Sequence, residues 1–170
     1  MHRLHLLRHA KSSWDDAVDD HERNLNRRGR DEATRVGKHL PMATGSLDLV
    51  LCSTARRAVE TMGLVLARFA PPPRSVSENG LYLAGADKLL QRLARLDEDD
   101  HAVLVIGHNP GLHELALALA SPASPRFDAL AGSKFPTAVR ASFKIAGPWS
   151  SLDRGPHELT DYVTVKSLSD

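Results

Sequence analysis

Five cationic or titratable side chains in this sequence stand at or just beyond the ends of short apolar segments. They are Arg8, His9, Arg56, Arg57 and His108. An arginine guanidinium can pair with two phosphate oxygens at once, and a neutral imidazole is a nucleophile near neutral pH. Collected in one place, these groups would bind a phosphoryl group and let a histidine attack its phosphorus. We take His9 as the chemical centre of that arrangement.

The five side chains can meet only if the apolar segments before them are neighbouring strands. Residues 4–7, 47–52 and 102–106 are short apolar runs without a helical period, which indicates buried strands. In a parallel sheet the carboxyl ends of the strands share one edge, and ligands of α/β proteins bind there. A helix beginning just after His108 would add N–H groups that attract anions.

The spacing alone leaves two choices open at this edge. Arg56 and Arg57 both begin a predicted helix, where a cation is electrostatically unfavourable unless an anion lies nearby. We therefore expect one of the two to serve the site, and the pattern does not say which. His9 and His108 also have an alternative interpretation as loop histidines satisfied by backbone groups.

Amphipathic patterns predict helices between and after these strands. The predicted helices run from the cap residue Asn26 to Pro41, from a Ser53 or Thr54 cap towards residues 71–73, from Gly85 to Leu96, and onward from an Asn109 cap with Pro110 in the first turn. Residues 76–83 are expected to be extended or irregular. Residues 121–136 are rich in proline, serine and glycine, and a loop of that length suggests function or mobility, including closure over the site.

The C-terminal part of the chain predicts a different kind of strand. Residues 138–145 alternate apolar with polar side chains, which is typical of a half-exposed strand, and residues 162–165 are its expected partner. Strands alternating with helices predict an α/β fold, a three-layer α/β/α sandwich with a mostly parallel central sheet and an antiparallel C-terminal edge. We expect a single domain over residues 1–170.

Composition excludes several classes of protein. The net charge of +1 over 170 residues does not call for nucleic acid as a partner. The single cysteine, Cys52, excludes a disulfide framework and is expected to be buried. Neither a signal peptide nor a membrane-spanning segment is recognisable, so we expect a soluble, cytoplasmic protein with no membrane partner. The remaining histidines are expected at the surface or partly packed: His2, His5, His21, His39, His101 and His157.

A metal site is the natural alternative for a chain with nine histidines. His113 and Glu114 begin like the helix of a zinc protease, but Leu117 stands where the second histidine is required. Glycine-rich phosphate loops are absent, and Ser12 and Ser53 lack the context of a nucleophile elbow. We therefore expect no dependence on a metal.

Several segments of this sequence, taken together, resemble the motifs of one known family. Residues 7–14, Leu-Arg-His-Ala-Lys-Ser-Ser-Trp, closely resemble the opening of the small SixA-type phosphohistidine phosphatases, a branch of the histidine phosphatase superfamily. The similarity continues in register through residues 20–33, Ser53-x-x-x-Arg57-Ala58-x-x-Thr61, residues 81–86, 105–111 and 135–137. It covers most of the chain up to about the last strand.

The resemblance implies a mechanism and resolves the choice of arginine. It implies that His9 is transiently phosphorylated while Arg8, Arg57 and His108 hold the phosphoryl oxygens, and that Arg57 rather than Arg56 is the family arginine. It also implies the superfamily's α/β sandwich, related to phosphoglycerate mutases, without metal or cofactor. The expected partner is a protein carrying phosphohistidine. The alternatives are a phosphatase or mutase acting on small phosphorylated metabolites, and a catalytically inert phosphate-binding module.

This sequence departs from the larger superfamily members in its supply of a general acid. Glu78 is the nearest candidate by position, although a surface glutamate is the competing interpretation. An alkoxide leaving group needs a proton, because its conjugate acid is very weak, whereas an imidazole nitrogen leaves far more easily. A missing acid would therefore favour phosphohistidine over phosphate esters.

Overall fold

The structure is a computed structural model that describes residues 1–169. Its strands are β1 (His2–Arg8), β2 (Leu49–Ser53), β3 (Ser75–Glu78), β4 (Ala102–Gly107), β5 (Arg140–Ile145) and β6 (Glu158–Val163). Its α-helices are α1 (Arg27–Thr44), α2 (Arg56–Val65), α3 (Ala86–Leu93), α4 (Gly111–Leu119) and α5 (Phe127–Ala131). Short 3-10 turns occupy residues 20–22, 79–81, 149–151 and 165–167.

The six strands form one mixed sheet in the order β3-β2-β4-β1-β5-β6. The first four are parallel, while β5 pairs antiparallel with both β1 and β6. Arg8 is level with Gly107, and Cys52 is level with Ile106. The carboxyl ends of β1, β2 and β4 therefore lie side by side, as the sequence predicts, and the antiparallel edge at the C-terminal end is confirmed.

Helices cover the two faces of this sheet and give the predicted three layers. On one face α1 and α2 pack over Leu7, Val50 and Leu104, which belong to one buried apolar cluster. On the other face α3 and α4, joined by α5, pack over Leu4, Leu51 and other members of a second cluster. Cys52 is buried, as expected, and burial raises the pKa of its thiol to about 12. Within residues 1–169, no helix combines the length and apolar character that crossing a bilayer requires.

The first helix runs past the proline that was predicted to end it. Pro41 lies inside α1, which continues to Thr44 and ends at Gly45, a residue with φ +67°. The last turn is retained because Thr44 is buried and its hydroxyl donates to the carbonyl of Leu40 at 3.1 Å. The Asn26 cap is confirmed, since its side chain accepts from the N–H of Gly29 at 2.8 Å.

Two other predicted helix caps are wrong, because their side chains bond elsewhere. Ala55 precedes α2, and the Ser53 hydroxyl accepts from the Ala55 N–H at 3.2 Å without capping the helix. Pro110 precedes α4, and the Asn109 amide instead donates to the carbonyl of Phe135 at 3.0 Å. Both side chains serve the loops at the carboxyl edge of the sheet.

Several expectations about exposure also need correction. Strand β5 is not half-exposed, because Arg140 and Ser142 are buried along with its apolar residues. His2, His5 and His157 are buried rather than superficial. Long-range contacts explain the difference: the His5 Nδ1 lies 2.7 Å from the Ser142 hydroxyl, and this pairing is invisible in the local pattern. Residues 76–83 contribute the edge strand β3, and residues 121–136 include the short helix α5.

Candidate active site

A cavity of about 190 Å³ opens at the carboxyl edge of β1, β2 and β4. It is lined by Arg8, His9, Lys11, Ser12, Trp14, Arg23, Arg57, Leu83, His108, Asn109 and Thr137. Four of the residues singled out from the sequence, Arg8, His9, Arg57 and His108, therefore meet here. Arg56 does not: its guanidinium bonds Glu60 at 3.2 Å on the exposed side of α2.

The ring of His9 is fixed in one tautomer by its own loop. Its Nδ1 lies 2.7 Å from the carbonyl of Ala10, and a carbonyl can only accept, so Nδ1 carries the proton. The Nε2 atom is left with a lone pair, and it accepts from the Nε–H of Arg57 at 3.3 Å. Burial lowers the pKa of His9 to about 3, and the charges of His108, Arg57 and Arg8 act in the same direction. His9 is a neutral imidazole at physiological pH.

The loop after His9 is held by three contacts from distant parts of the chain. The Ala10 N–H donates to the hydroxyl of Thr61 at 3.0 Å, and the Lys11 N–H donates to the carboxylate of Glu32 at 3.0 Å. The carbonyl of Lys11 lies so close to Gly29 that a Cβ there would be 1.9 Å from the oxygen. These contacts fix the backbone that orients the imidazole.

Arg57 is buried in the first turn of α2 and makes bonds on every side of its guanidinium. Besides the His9 contact, its Nη1 donates to the backbone carbonyl of Asp20 at 2.7 Å, and its Nη2 donates to the Asp20 carboxylate at 3.0 Å. Nη2 also lies 3.5 Å from Nδ1 of His108. The guanidinium is therefore positioned in advance between the two imidazoles.

Asp20 is a site residue that the sequence reasoning missed. Its carboxylate accepts from Arg57, from Arg23 at 2.9 Å and, through a short hydrogen bond, from the hydroxyl of Tyr82. The Tyr82 hydrogen bond, with help from the two arginines, holds the pKa of Asp20 well below its usual range. The available signal was Arg23 three residues later, an i,i+3 pair of opposite charge.

His108 is tied to β2 and to Arg57 through its two ring nitrogens. An arginine can only donate, so Nδ1 of His108 is the acceptor of the Arg57 contact. Its Nε2 then carries the proton and donates to the Ser53 hydroxyl at 2.7 Å. Burial, followed by the charge of Arg57, lowers the pKa of His108 to about 4. The rings of His9 and His108 have their centroids 5.1 Å apart.

Arg8 reaches the cavity from the end of β1 and leaves part of its guanidinium free. Its Nη1 donates to the carbonyl of Phe135 at 3.1 Å, whereas its Nε is buried without a hydrogen-bond partner among residues 1–169. Phe135 has φ +54°, which turns its carbonyl towards both Arg8 and Asn109. Residues 121–136 therefore help to build the site. Closure of this segment over the cavity stays a prediction.

Glu78 lies outside the cavity. It ends β3 level with Ser53, and both its carboxylate oxygens accept from Arg92, at 2.8 and 2.9 Å. This pairing lowers the pKa of Glu78, which keeps the carboxylate ionised. A general acid needs the opposite shift and a position within reach of the leaving group. The geometry therefore does not favour Glu78 as a proton donor in the site.

The charges around the cavity suit a phosphoryl group. Arginine and lysine side chains line it, while the carboxylates of Asp20 and Glu32 lie behind them. Two imidazoles remain neutral among these cations. An entering dianion would pair with the guanidinium groups and would favour protonation of His108.

Comparison with known proteins agrees with this geometry. Residues 4–78 match the family model of the histidine phosphatase superfamily (branch 1). An uncharacterized protein of Mycobacterium tuberculosis is 35% identical over 153 residues, covering 88% of this chain and 93% of the relative. The chain belongs to the histidine phosphatase superfamily.

Solved structures refine the position of this histidine phosphatase within the superfamily. The chain assigned as phosphohistidine phosphatase SixA in Nakamurella multipartitia superposes with a TM-score of 0.83 at 29% identity, covering 96% of this chain and 95% of that one. The corresponding chain of Agrobacterium tumefaciens gives 0.80 at 27% identity, covering 96% and 97%. The protein is of the SixA type, with the superfamily's α/β fold. Family and fold support phosphatase activity.

Proposed function

We propose that this histidine phosphatase removes the phosphoryl group from phosphohistidine on a protein, through a covalent intermediate on Nε2 of His9. One observation carries the proposal: the Nδ1–H of His9 is bonded to the Ala10 carbonyl, so the Nε2 lone pair faces Arg57 inside the cationic cavity. A neutral, buried and oriented imidazole is the form that attacks phosphorus. Arg8, Arg57 and His108 line the same cavity, which supports a role for them in holding the phosphoryl oxygens.

The reaction runs in two transfers. The lone pair of His9 Nε2 forms a bond to phosphorus while the substrate P–N bond breaks. The substrate ring takes a proton from solvent on its other nitrogen and departs as neutral imidazole, keeping the electron pair of the broken bond. Water then attacks phospho-His9, the P–Nε2 bond breaks, and inorganic phosphate leaves as the water proton returns to solvent. Arg8 and Arg57 offset the oxygen charge in both steps, and protonated His108 donates from Nδ1.

The choice of phosphohistidine as substrate depends on the leaving group. None of the carboxylates in residues 1–169 lines the cavity, and Glu78 is bonded to Arg92. An alkoxide would leave from this site without a carboxylic acid to protonate it, while imidazole is a much better leaving group. The cavity is also open at the protein surface, where Trp14 is exposed, so a histidine on another protein can approach it.

The nucleophile is tested by replacing it and by trapping its phosphorylated form. We expect His9→Ala to abolish hydrolysis of a phosphohistidine protein while the thermal unfolding midpoint stays within a few degrees. Brief mixing of the wild-type protein with a labile phosphodonor should place acid-labile, alkali-stable phosphate on His9, identified by peptide mass. Full activity in His9→Ala would refute the assignment. Phosphate binding without either turnover or a trapped phosphohistidine would identify an inert binding module instead.

The substrate class is tested by competing leaving groups. We expect the specificity constant kcat/KM for a phosphohistidine protein to exceed that for small phosphate esters offered to the same preparation. Faster turnover of esters would favour a phosphatase or mutase acting on small phosphorylated metabolites. A large loss on Glu78→Gln with an ester substrate would point the same way. We propose the cytoplasm as the site of action.

A further inference from the structure

Trp14 is an exposed aromatic residue on the cavity, and a buried arginine packs against its indole ring. Its residue surface is 73% exposed, yet the side chain lines the cavity that contains His9. The guanidinium carbon of Arg23 lies 3.2 Å from the centroid of the indole, stacked on one of its faces. The opposite face is open to solvent.

The support under the indole is itself rigid. Arg23 is buried, at 8% exposure, and donates from Nε to the Ser13 carbonyl at 3.0 Å, from Nη1 to Asp20 at 2.9 Å, and from Nη2 to the Ser12 hydroxyl. Isolated exposed apolar side chains are common and carry no meaning alone. Here a buried guanidinium that donates from all three of its nitrogens supports a large aromatic plane on the cavity that contains His9. The arrangement resembles a preformed binding surface more than a chance exposure.

The position of this plane relates it to the leaving group. His9 and Trp14 line the same cavity, but His9 is buried whereas Trp14 is exposed. A group in line with a phosphorus held against Nε2 of His9 would extend away from the buried ring, towards the exposed part of the cavity that Trp14 lines. Flat aromatic rings stack on an indole in offset or tilted arrangements. An alkyl chain, such as the side chain of phosphoserine, presents no such plane.

We propose that the open face of Trp14 is a leaving-group subsite that stacks the imidazole of the substrate phosphohistidine. This inference rests on the proposed function and adds to it a residue that discriminates between leaving groups. Leu83 supplies a second apolar surface on the same cavity: it is 54% exposed and has φ +53°, a region that leucine rarely adopts. Both surfaces fit the faces of a flat aromatic ring better than an extended alkyl chain.

The test compares two P–N substrates that differ only in the group that leaves. One is a phosphohistidine peptide, whose leaving group is an imidazole, and the other is the inorganic phosphoramidate ion, which releases ammonia. We expect Trp14→Leu to lower the ratio of the two kcat/KM values by about 3- to 10-fold, because it removes the aromatic plane but keeps an apolar side chain. Trp14→Phe keeps a plane and should leave the ratio within about twofold of the wild type. Met42→Ala, at a 95% exposed apolar residue on α1 away from the cavity, is the control.

The outcomes separate the subsite from the proposed function. A ratio unchanged in Trp14→Leu overturns the subsite, as does an equal loss on both substrates, which would mean that Trp14 acts only by supporting Arg23. A loss as large in Trp14→Phe as in Trp14→Leu also overturns it. The wild-type protein decides the function independently: if it hydrolyses esters but neither P–N substrate, the proposed function fails and the imidazole subsite falls with it.

Discussion

Gly29 offers the sharpest test of how the catalytic loop is positioned. It lies in the first turn of α1, and a Cβ at this position would be 1.9 Å from the carbonyl oxygen of Lys11 and 2.8 Å from its carbonyl carbon. Ordinary contact begins at 3.4 Å, and both neighbours are backbone atoms. In Gly29→Ala either the helix start or the Lys11 backbone must therefore move. Lys11 is two residues from His9, so the shift reaches the proposed nucleophile.

The size of the effect follows from the clash. Overpacking of this kind costs about 1–3 kcal/mol in the free energy of unfolding, and the better helix propensity of alanine returns up to about 1 kcal/mol. Because the clash is with backbone atoms, we take the upper end of that cost, which leaves a net loss of about 2 kcal/mol. For a chain of this length each kcal/mol changes Tm by roughly 2–4 °C, so we expect Tm to fall by roughly 4–8 °C. A displacement of about 1 Å at the nucleophile can cost on the order of 100-fold in rate. We expect kcat/KM to fall by roughly 10- to 100-fold.

Gly63→Ala is the matched control. Gly63 lies inside α2 and is exposed, and a Cβ added there would have no atom within 4 Å apart from its own helix backbone and chain neighbours. There the same substitution should raise stability by about 0.4–1 kcal/mol and leave phosphohistidine hydrolysis unchanged. Thermal unfolding followed by circular dichroism and the peptide hydrolysis assay measure both quantities. If Gly29→Ala is as stable and as active as Gly63→Ala, the close approach of α1 to Lys11 does not hold the loop.

Three further predictions follow from the site. Glu78→Gln should leave kcat/KM on phosphohistidine within about twofold, because the lost ion pair is partly exposed and outside the cavity; a tenfold loss or more would restore Glu78 as an acid. Thr61→Val should lower the free energy of unfolding, measured by urea denaturation, by about 1–3 kcal/mol, because it removes the hydroxyl that accepts from the buried Ala10 N–H. An unchanged urea midpoint would contradict the Ala10–Thr61 hydrogen bond. The pKa values of His5 and His9, lowered to about 3, and of His108, lowered to about 4, imply that the unfolded chain binds more protons than the folded one below the ordinary pKa of 6.5. Stability should therefore rise with pH from about 4 to 6.5 and level off above that, by up to about 1.4 kcal/mol per pH unit for each histidine, and equal urea midpoints at pH 5 and 7.5 would refute it.

Much of the architecture is readable from local pattern. The strand segments at residues 4–7, 47–52 and 102–106 are apolar over short spans, and each is confirmed as a central strand to within two residues or so. The Asn26 cap is confirmed for the same reason, because a cap and its helix are adjacent in the chain. Predictions failed where a neighbour distant in sequence decides the outcome. Pro41 does not end α1: Thr44 is buried in the last turn, and its carbonyl accepts from Arg3, a residue distant in the chain, at 3.0 Å.

At the site, too, local pattern predicts some features, whereas contacts between distant residues decide the others. The residue types that predict phosphoryl chemistry, and the motif that indicates the superfamily, are properties of the sequence itself. The local pattern puts Arg8, His9 and His108 at strand ends, but spacing leaves Arg56 and Arg57 equivalent. The resemblance favours Arg57, and the geometry agrees, since Arg57 donates to His9 whereas Arg56 bonds Glu60. The role of Asp20 was missed because its partner Tyr82 is distant in the chain.

Only the tertiary structure decided the chemical state of these groups. The tautomer of His9 depends on which atom accepts its Nδ1 proton, and its lowered pKa depends on burial by elements far along the chain. Hydropathy and helix caps act between neighbours in sequence, so a pattern can report them. Desolvation and charge pairing act through space, between residues such as His9 and Arg57 that only folding brings together.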